Sequence, residues 1–213
     1  MKVSRFIFNP FGMNTYVVYD PASREAAVID PGMTSADEEQ ALDRFIEREE
    51  LTVKHLINTH MHLDHIFGNP YVKTKYGVGA EAGADDEFLA KDFPAQVAKY
   101  HLPIKAEPQT VDTELRDGDE IFLGTEPLKV LAVPGHSPGS IALWAPESGF
   151  VITGDALFEG SIGRTDLPRG DFSTLVNAIR AKLLTLPGAT VVLPGHGPET
   201  TIAREAASNP YLI

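Results

Sequence analysis

The sequence predicts an α/β protein, a four-layer αββα sandwich. Three observations carry this. Apolar β-branched stretches and helix-like stretches follow one another as strands and a helix–strand unit, more strands, then a helix–strand–helix unit. That order reads as two similar halves, each a small sheet with helices outside. The chain has 213 residues, 43% of them hydrophobic and 23% charged, with no linker and no low-complexity run, so one domain over 1–213 is expected.

The elements follow in order. Val3–Phe8, Thr15–Tyr19 and Ala26–Ile29 read as short strands joined by Asn-Pro-Phe-Gly and Asp-Pro-Ala-Ser turns. Ser35 and Glu38 form a capping-box pattern for a helix through about Glu50, whose acidic residues are its solvated side. Val53–Ile57 reads as a buried strand. Ile66–Tyr76 is a candidate helix weakened by Gly68 and Pro70, and residues 84–100 read as helical with a break or restart at Pro94. Strands recur at Glu120–Leu123, Leu128–Val133, Ile141–Trp144 and Phe150–Thr153. Asp171 caps a helix through about Leu184, Thr190–Leu193 is a last strand, and Thr200–Ala207 a last helix.

Between the strand at 53–57 and the next helix lies Asn58-Thr59-His60-Met61-His62-Leu63-Asp64-His65. Imidazole nitrogen and carboxylate oxygen are ligands for Zn²⁺ and similar first-row ions. Side chains alternate along an extended segment, so His60 and His62 point the same way and can share an ion. Asp64 and His65 fan out differently, and two ions roughly 3.5–4 Å apart would collect all four groups more easily than one.

Three further strands run into glycine-containing turns that present one polar side chain each: Pro134-Gly135-His136, Thr153-Gly154-Asp155 and Pro194-Gly195-His196. Five of the seven histidines fall in the octet or in these turns. There is no cysteine, so thiolate ligands and disulfides are excluded. The net charge of −12, from 30 acidic and 18 basic residues, argues against a nucleic-acid partner. No stretch approaches a membrane span and no apolar signal follows Met1, so the sequence-based expectation is a cytoplasmic protein with a small-molecule substrate, its oligomeric state left open.

This constellation resembles the metallo-β-lactamase superfamily. Thr59-His60-Met61-His62-Leu63-Asp64-His65 carries its T-H-x-H-x-D-H motif, and His136, Asp155 and His196 match the downstream ligands. The likeness begins at Asn14-Thr15-Tyr16 and Val28-Ile29-Asp30-Pro31-Gly32. It implies the metallo-β-lactamase fold and two divalent ions, zinc foremost, with iron or manganese as alternatives. It also implies His60, His62 and His136 on one ion, Asp64, His65 and His196 on the other, and Asp155 bridging. Within the superfamily the chain resembles the short glyoxalase II-like hydrolases, through 134–140, 160–168, 194–198 and Asn209-Pro210-Tyr211-Leu212. With one domain over 1–213, the expectation is a protein without the helical C-terminal domain of glyoxalase II.

The function implied is hydrolysis of a thioester, as in hydroxyacylglutathione hydrolases, by a hydroxide bridging the metals. No dedicated acid is visible, and a thiolate needs none on departure. Asp64 is a candidate to orient the nucleophile. Asp30, grouped with Thr59, is a candidate to hold a ligand histidine, the alternative being a turn aspartate. Arg164 and Asp166 are candidates for the substrate mouth or a loop-fixing pair; Phe158 and Tyr211 for its walls or for packing. The rival is a mononuclear-iron persulfide dioxygenase, which shares Gly163-Arg164-Thr165-Asp166 but has cysteine where Ile162 stands. A lactamase and a non-catalytic metal-binding protein follow behind.

Overall fold

The computed structural model describes all 213 residues. The first half contributes β1 (Lys2–Phe8), β2 (Met13–Tyr19), β3 (Glu25–Ile29), α1 (Ala36–Arg48), β4 (Thr52–Ile57), α2 (Leu63–Ile66), α3 (Asn69–Tyr76) and β5 (Ala80–Ala82). A 3-10 turn (Ala84–Asp86) leads to α4 (Glu87–Lys91), α5 (Phe93–Lys99) and β6 (Thr113–Glu114). The second half contributes β7 (Glu120–Leu123), β8 (Glu126–Ala132), β9 (Ile141–Ala145) and β10 (Phe150–Gly154). The hairpin β11 (Leu157–Phe158) and β12 (Ser161–Ile162) follows, then α6 (Phe172–Ala178), β13 (Val191–Pro194), β14 (Thr200–Thr201) and α7 (Ile202–Ser208).

One sheet runs β1-β2-β3-β4-β5-β6 and the other β14-β13-β10-β9-β8-β7. The period of two along each strand splits its side chains between two cores. On β2, Tyr16 and Val18 face the opposite sheet while Val17 and Tyr19 face α1. On β10, Phe150 and Ile152 face the first sheet while Val151 packs with Leu175, Ile179 and Ile202 of the outer helical layer. Burial on both faces is why β2, β3 and β10 read as apolar runs. The stacking is helix, sheet, sheet, helix, which is the predicted αββα sandwich.

Several local expectations need correction. The helix expected over 66–76 is two helices, because Gly68 N–H donates to Pro31 O at 2.7 Å, outside the helix. In α1 the Ser35 hydroxyl accepts from Glu38 N, but the Glu38 carboxylate accepts from Thr34 N and Asn9 N, so the capping box is not reciprocal. In 84–100 the helix breaks at Asp92 and restarts as α5 with Pro94 in its first turn, so the expected restart stands and only the break lies earlier. Residues 200–201 pair with β13 as a strand, and the last helix starts at Ile202. Strands β5, β6, β11 and β12 went unpredicted; at two or three residues each they carry no readable alternation.

Candidate metal centre

The octet leaves the carboxyl end of β4 and enters α2, which places His60 and His62 on the connecting segment and Asp64 and His65 inside the helix. His136 follows β8, Asp155 follows β10, and His196 follows β13. Four turns from two sheets thus meet at one end of the sandwich, where sites form in open α/β architectures. The last turn is tied to the opposite sheet. Asn14 donates through Nδ2 to Pro194 O and Gly197 O at 2.9 Å each, and Tyr16 Oη donates to Pro194 O at 2.8 Å. Gly195 leaves room beside Asp155, since a Cβ built there would lie 2.2 Å from Asp155 Oδ1.

The seven predicted side chains converge. Three ligand sets lie within mutual reach: His60–His62–His136, Asp64–His65–His196, and His60–His65–Asp155. Asp155 stands between the first two, with Oδ1 3.4 Å from His65 Nε2 and Oδ2 3.7 Å from both His136 Nε2 and His196 Nε2.

Hydrogen bonds on the far side of the rings define which nitrogens are free. His136 Nδ1 faces Arg164 O at 2.8 Å and His196 Nδ1 faces Phe11 O at 3.2 Å; a carbonyl only accepts, so both nitrogens carry protons. His65 Nδ1 donates to Asp30 Oδ2 at 2.9 Å. The Thr59 hydroxyl donates to Asp30 Oδ2 at 2.6 Å, so its oxygen accepts from His60 Nδ1 at 3.2 Å. In these four rings, when neutral, the bare Nε2 lone pairs point inward, whereas His62 turns its Nδ1 inward, 2.9 Å from His136 Nε2. The bare lone pairs face other acceptors: His60 Nε2 to His136 Nε2 at 3.2 Å, and His196 Nε2 to Asp64 Oδ2 at 3.1 Å. His65 Nε2 and Asp155 Oδ1 are buried without a hydrogen-bond partner. Acceptors packed against acceptors need cations between them. The all-nitrogen-and-oxygen donor set suits zinc, iron or manganese.

Without a metal, protons take part of that role, unevenly. Burial holds His60 far below its ordinary value, helped by His65 and His136, and takes His62 down to about 3. Burial also opposes charge on His65, but Asp155, Asp30 and Asp64 outweigh it and raise the ring well above its ordinary value. Burial of Asp155 is overcome by His65 and His136, which hold its carboxyl low.

Asp30 therefore orients His65 and, through Thr59, His60. It also accepts from Thr59 N at 2.7 Å and sits at φ +50°, a left-handed backbone that aspartate tolerates. The cavity in front of the cluster is about 570 Å³. Phe11, Phe88, Leu89, Lys99, Tyr100 and Arg164 are among its walls. Arg164 and Asp166 form a bidentate pair at 2.7 Å in both arms, and only Arg164 reaches this cavity. Tyr211 instead lines a separate depression with Phe172 and the 162–166 loop. Phe158 lines neither, because alternation along β11 buries Leu157 in the helical-side core and turns Phe158 the other way. The walls on α4 and α5 and Phe11 carried no sequence signal, since single aromatic residues read as packing.

The model of the metallo-beta-lactamase superfamily matches residues 9–196. Hydroxyacylglutathione hydrolase GloC of Haemophilus influenzae is 38% identical over 219 residues, covering 100% of this chain and 98% of its own. Among solved structures, the BLEG-1 B3 metallo-beta-lactamase superposes with a TM-score of 0.89 at 33% identity, covering 99% of both chains. TTHA1623 in a di-iron-bound form gives 0.86 at 32%, covering 98% of this chain and 100% of its own. ETHE1 from Myxococcus xanthus gives 0.78 at 28%, covering 99% and 84%. By motif, fold and full-length similarity, this chain belongs to the metallo-beta-lactamase superfamily.

Proposed function

We propose that the chain is a binuclear metal-dependent thioesterase of the hydroxyacylglutathione hydrolase kind. The observation that carries the reading is the inward convergence of acceptor atoms from five imidazoles and two carboxylates on the floor of one cavity. The full-length likeness to a hydroxyacylglutathione hydrolase supports the substrate class. His60, His62 and His136 would hold one ion, Asp64, His65 and His196 the other, with Asp155 shared; zinc is the first choice. Two such ions supply a hydroxide nucleophile near neutral pH and positive charge against a developing oxyanion.

The protein's own groups do the rest. Asp64 presents its carboxylate to the cavity floor and orients the attacking oxygen. Phe11, Leu63, Phe88 and Leu89 exclude water around the acyl group. Apart from the ligands, the cavity's ionisable side chains are Asp92, Lys99, Tyr100 and Arg164, and none hydrogen-bonds to a ligand side chain. A thiolate, a far weaker base than an alkoxide or an amide anion, departs without a proton donor; an amine would need one. A cytoplasmic location belongs to the same reading; no helix is long and apolar enough to cross a membrane.

One observation favours a second reading. His60, His62, His136 and Asp155 alone could serve a single iron, and the 163–166 stretch borders them through the Arg164–His136 hydrogen bond, as in the dioxygenase reading. Against it, Ile162 packs its side chain into the core where that family's cysteine would stand. Elemental analysis joined to assays on S-lactoylglutathione, simpler thioesters and a β-lactam separates the readings. Two ions with thiol release supports the thioesterase; one iron with oxygen uptake supports the dioxygenase; lactam turnover alone would point to a lactamase.

A further inference from the structure

Asp86 closes the 3-10 turn before α4 and belongs to none of the motifs, yet its side chain is fully buried. Its carboxylate joins the two segments that carry the three-imidazole set. Oδ2 accepts from Met61 N at 3.1 Å, the amide between His60 and His62, and from the Ser137 hydroxyl at 2.6 Å, the residue after His136. Oδ1 accepts from Gly139 N at 2.7 Å. The network is self-consistent. Ser137 gives its proton to Asp86, so Ser140 Oγ donates to Ser137 Oγ at 2.7 Å while accepting from Ser137 N at 3.2 Å.

The turns are shaped for this contact. Gly83 and Gly139 face each other: a Cβ on Gly83 would lie 2.3 Å from Gly139 O, and one on Gly139 2.7 Å from Asp86 N. The imidazoles differ in what else holds them. His60 has Thr59 and His136 has Arg164 O, whereas His62 Nε2 has no partner. Backbone pairing of Ile141 N with Thr59 O at 2.8 Å fixes the bases of the two segments, but not the ligands beyond them. The Asp64–His65–His196 set includes a carboxylate of its own; the three-imidazole set has only the shared Asp155.

We infer that Asp86 is the positioning residue of the three-imidazole half of the centre: it locks the His60–His62 segment to the His136 turn and places a buried negative charge behind an otherwise neutral ligand set. This rests on the binuclear reading above. The inference predicts a selective defect. Removal of Asp86 should weaken the ion at His60–His62–His136 and spare the ion at Asp64–His65–His196.

The test uses purified full-length protein and zinc alone as probe. Zinc per chain is counted after gel filtration, and the two dissociation constants are measured by chelator competition. Asp86→Asn keeps the volume but sets an amide donor against donors. One zinc should weaken by roughly 10–100-fold, the usual scale for groups behind metal ligands. Adding His62→Ala to Asp86→Asn should leave the remaining tight zinc unchanged, while adding His196→Ala should abolish it. Should Asp86→Asn fail to unfold cooperatively, Ser137→Ala, which removes one donor and keeps the charge, must show the same selectivity at smaller size. Two unaltered zinc affinities, or loss confined to the Asp64–His65–His196 set, would overturn the inference. A wild-type chain that binds fewer than two zinc ions would instead overturn the binuclear reading beneath it.

Discussion

Asp30 and His65 lie 35 positions apart in sequence and meet at 2.9 Å, both almost wholly buried, in a bond that turns the free nitrogen of His65 toward Asp155. The same carboxylate receives the Thr59 amide and hydroxyl. One residue at β3's exit thus orients members of both candidate ligand sets. Asp30→Ala should weaken metal binding by roughly 10–100-fold and lower thioester hydrolysis with it. Chelator competition checks this; unchanged affinity would return Asp30 to the role of a turn aspartate.

Gly195 marks the tightest approach to the shared carboxylate. Gly195→Ala would place a methyl group 2.2 Å from Asp155 Oδ1 and 2.8 Å from His65 Cε1. The neighbours must shift, at a cost of about 1–3 kcal/mol. The expected outcome is a folded protein with lowered metal content, read by elemental analysis beside a denaturant midpoint.

Metal removal should destabilise the chain, because lone pairs of the ligands face one another across the centre. An ion that binds only the folded state, at a free concentration about a thousandfold above its Kd, adds about 4 kcal/mol. Thermal unfolding with and without chelator measures it. The midpoint should fall on chelation and return on adding zinc.

A pH effect is expected away from the centre, between α1 and α3. Tyr71 and Tyr76 both donate to Asp43 at 2.6 Å, and Lys75 pairs with it at 3.0 Å. Burial would raise the Asp43 carboxyl, but these partners outweigh it and hold it below its ordinary value. The unfolded chain therefore takes up the proton first as pH falls. The contribution is complete above about pH 4 and is lost on acidification through the folded value. Burial and the bond to Asp43 raise Tyr71 to about 12, so its contribution is present below about pH 10 and is lost as pH rises toward 12. Asp43→Asn should cost about 1–3 kcal/mol in denaturant unfolding and bring tyrosinate absorbance to lower pH.

What the sequence made legible followed from chemistry with a spacing. His60, His62, Asp64 and His65 stand together in the chain, and His136, Asp155 and His196 each follow an apolar strand at a glycine turn. Long strands such as β2 and β10 were legible because both faces are buried. Asp86 was not, because a single aspartate at the head of a helix looks like any cap; only the fold brings Met61 N, Ser137 and Gly139 to it. Asn14 and Tyr16 appeared as part of a resemblance, and their work of holding the Pro194–Gly197 turn depends on sheet packing that no local pattern encodes. The cavity walls failed for the same reason: Phe11 and Tyr100 come together as an edge-to-face pair at 5.9 Å from segments far apart in the chain.

The most direct test of the account is thiol release from S-lactoylglutathione by metal-free protein titrated with zinc up to two ions per chain. A rate that rises to its maximum only as the second ion binds is the predicted result. Full rate at one ion, or no thiol release at two, would contradict it.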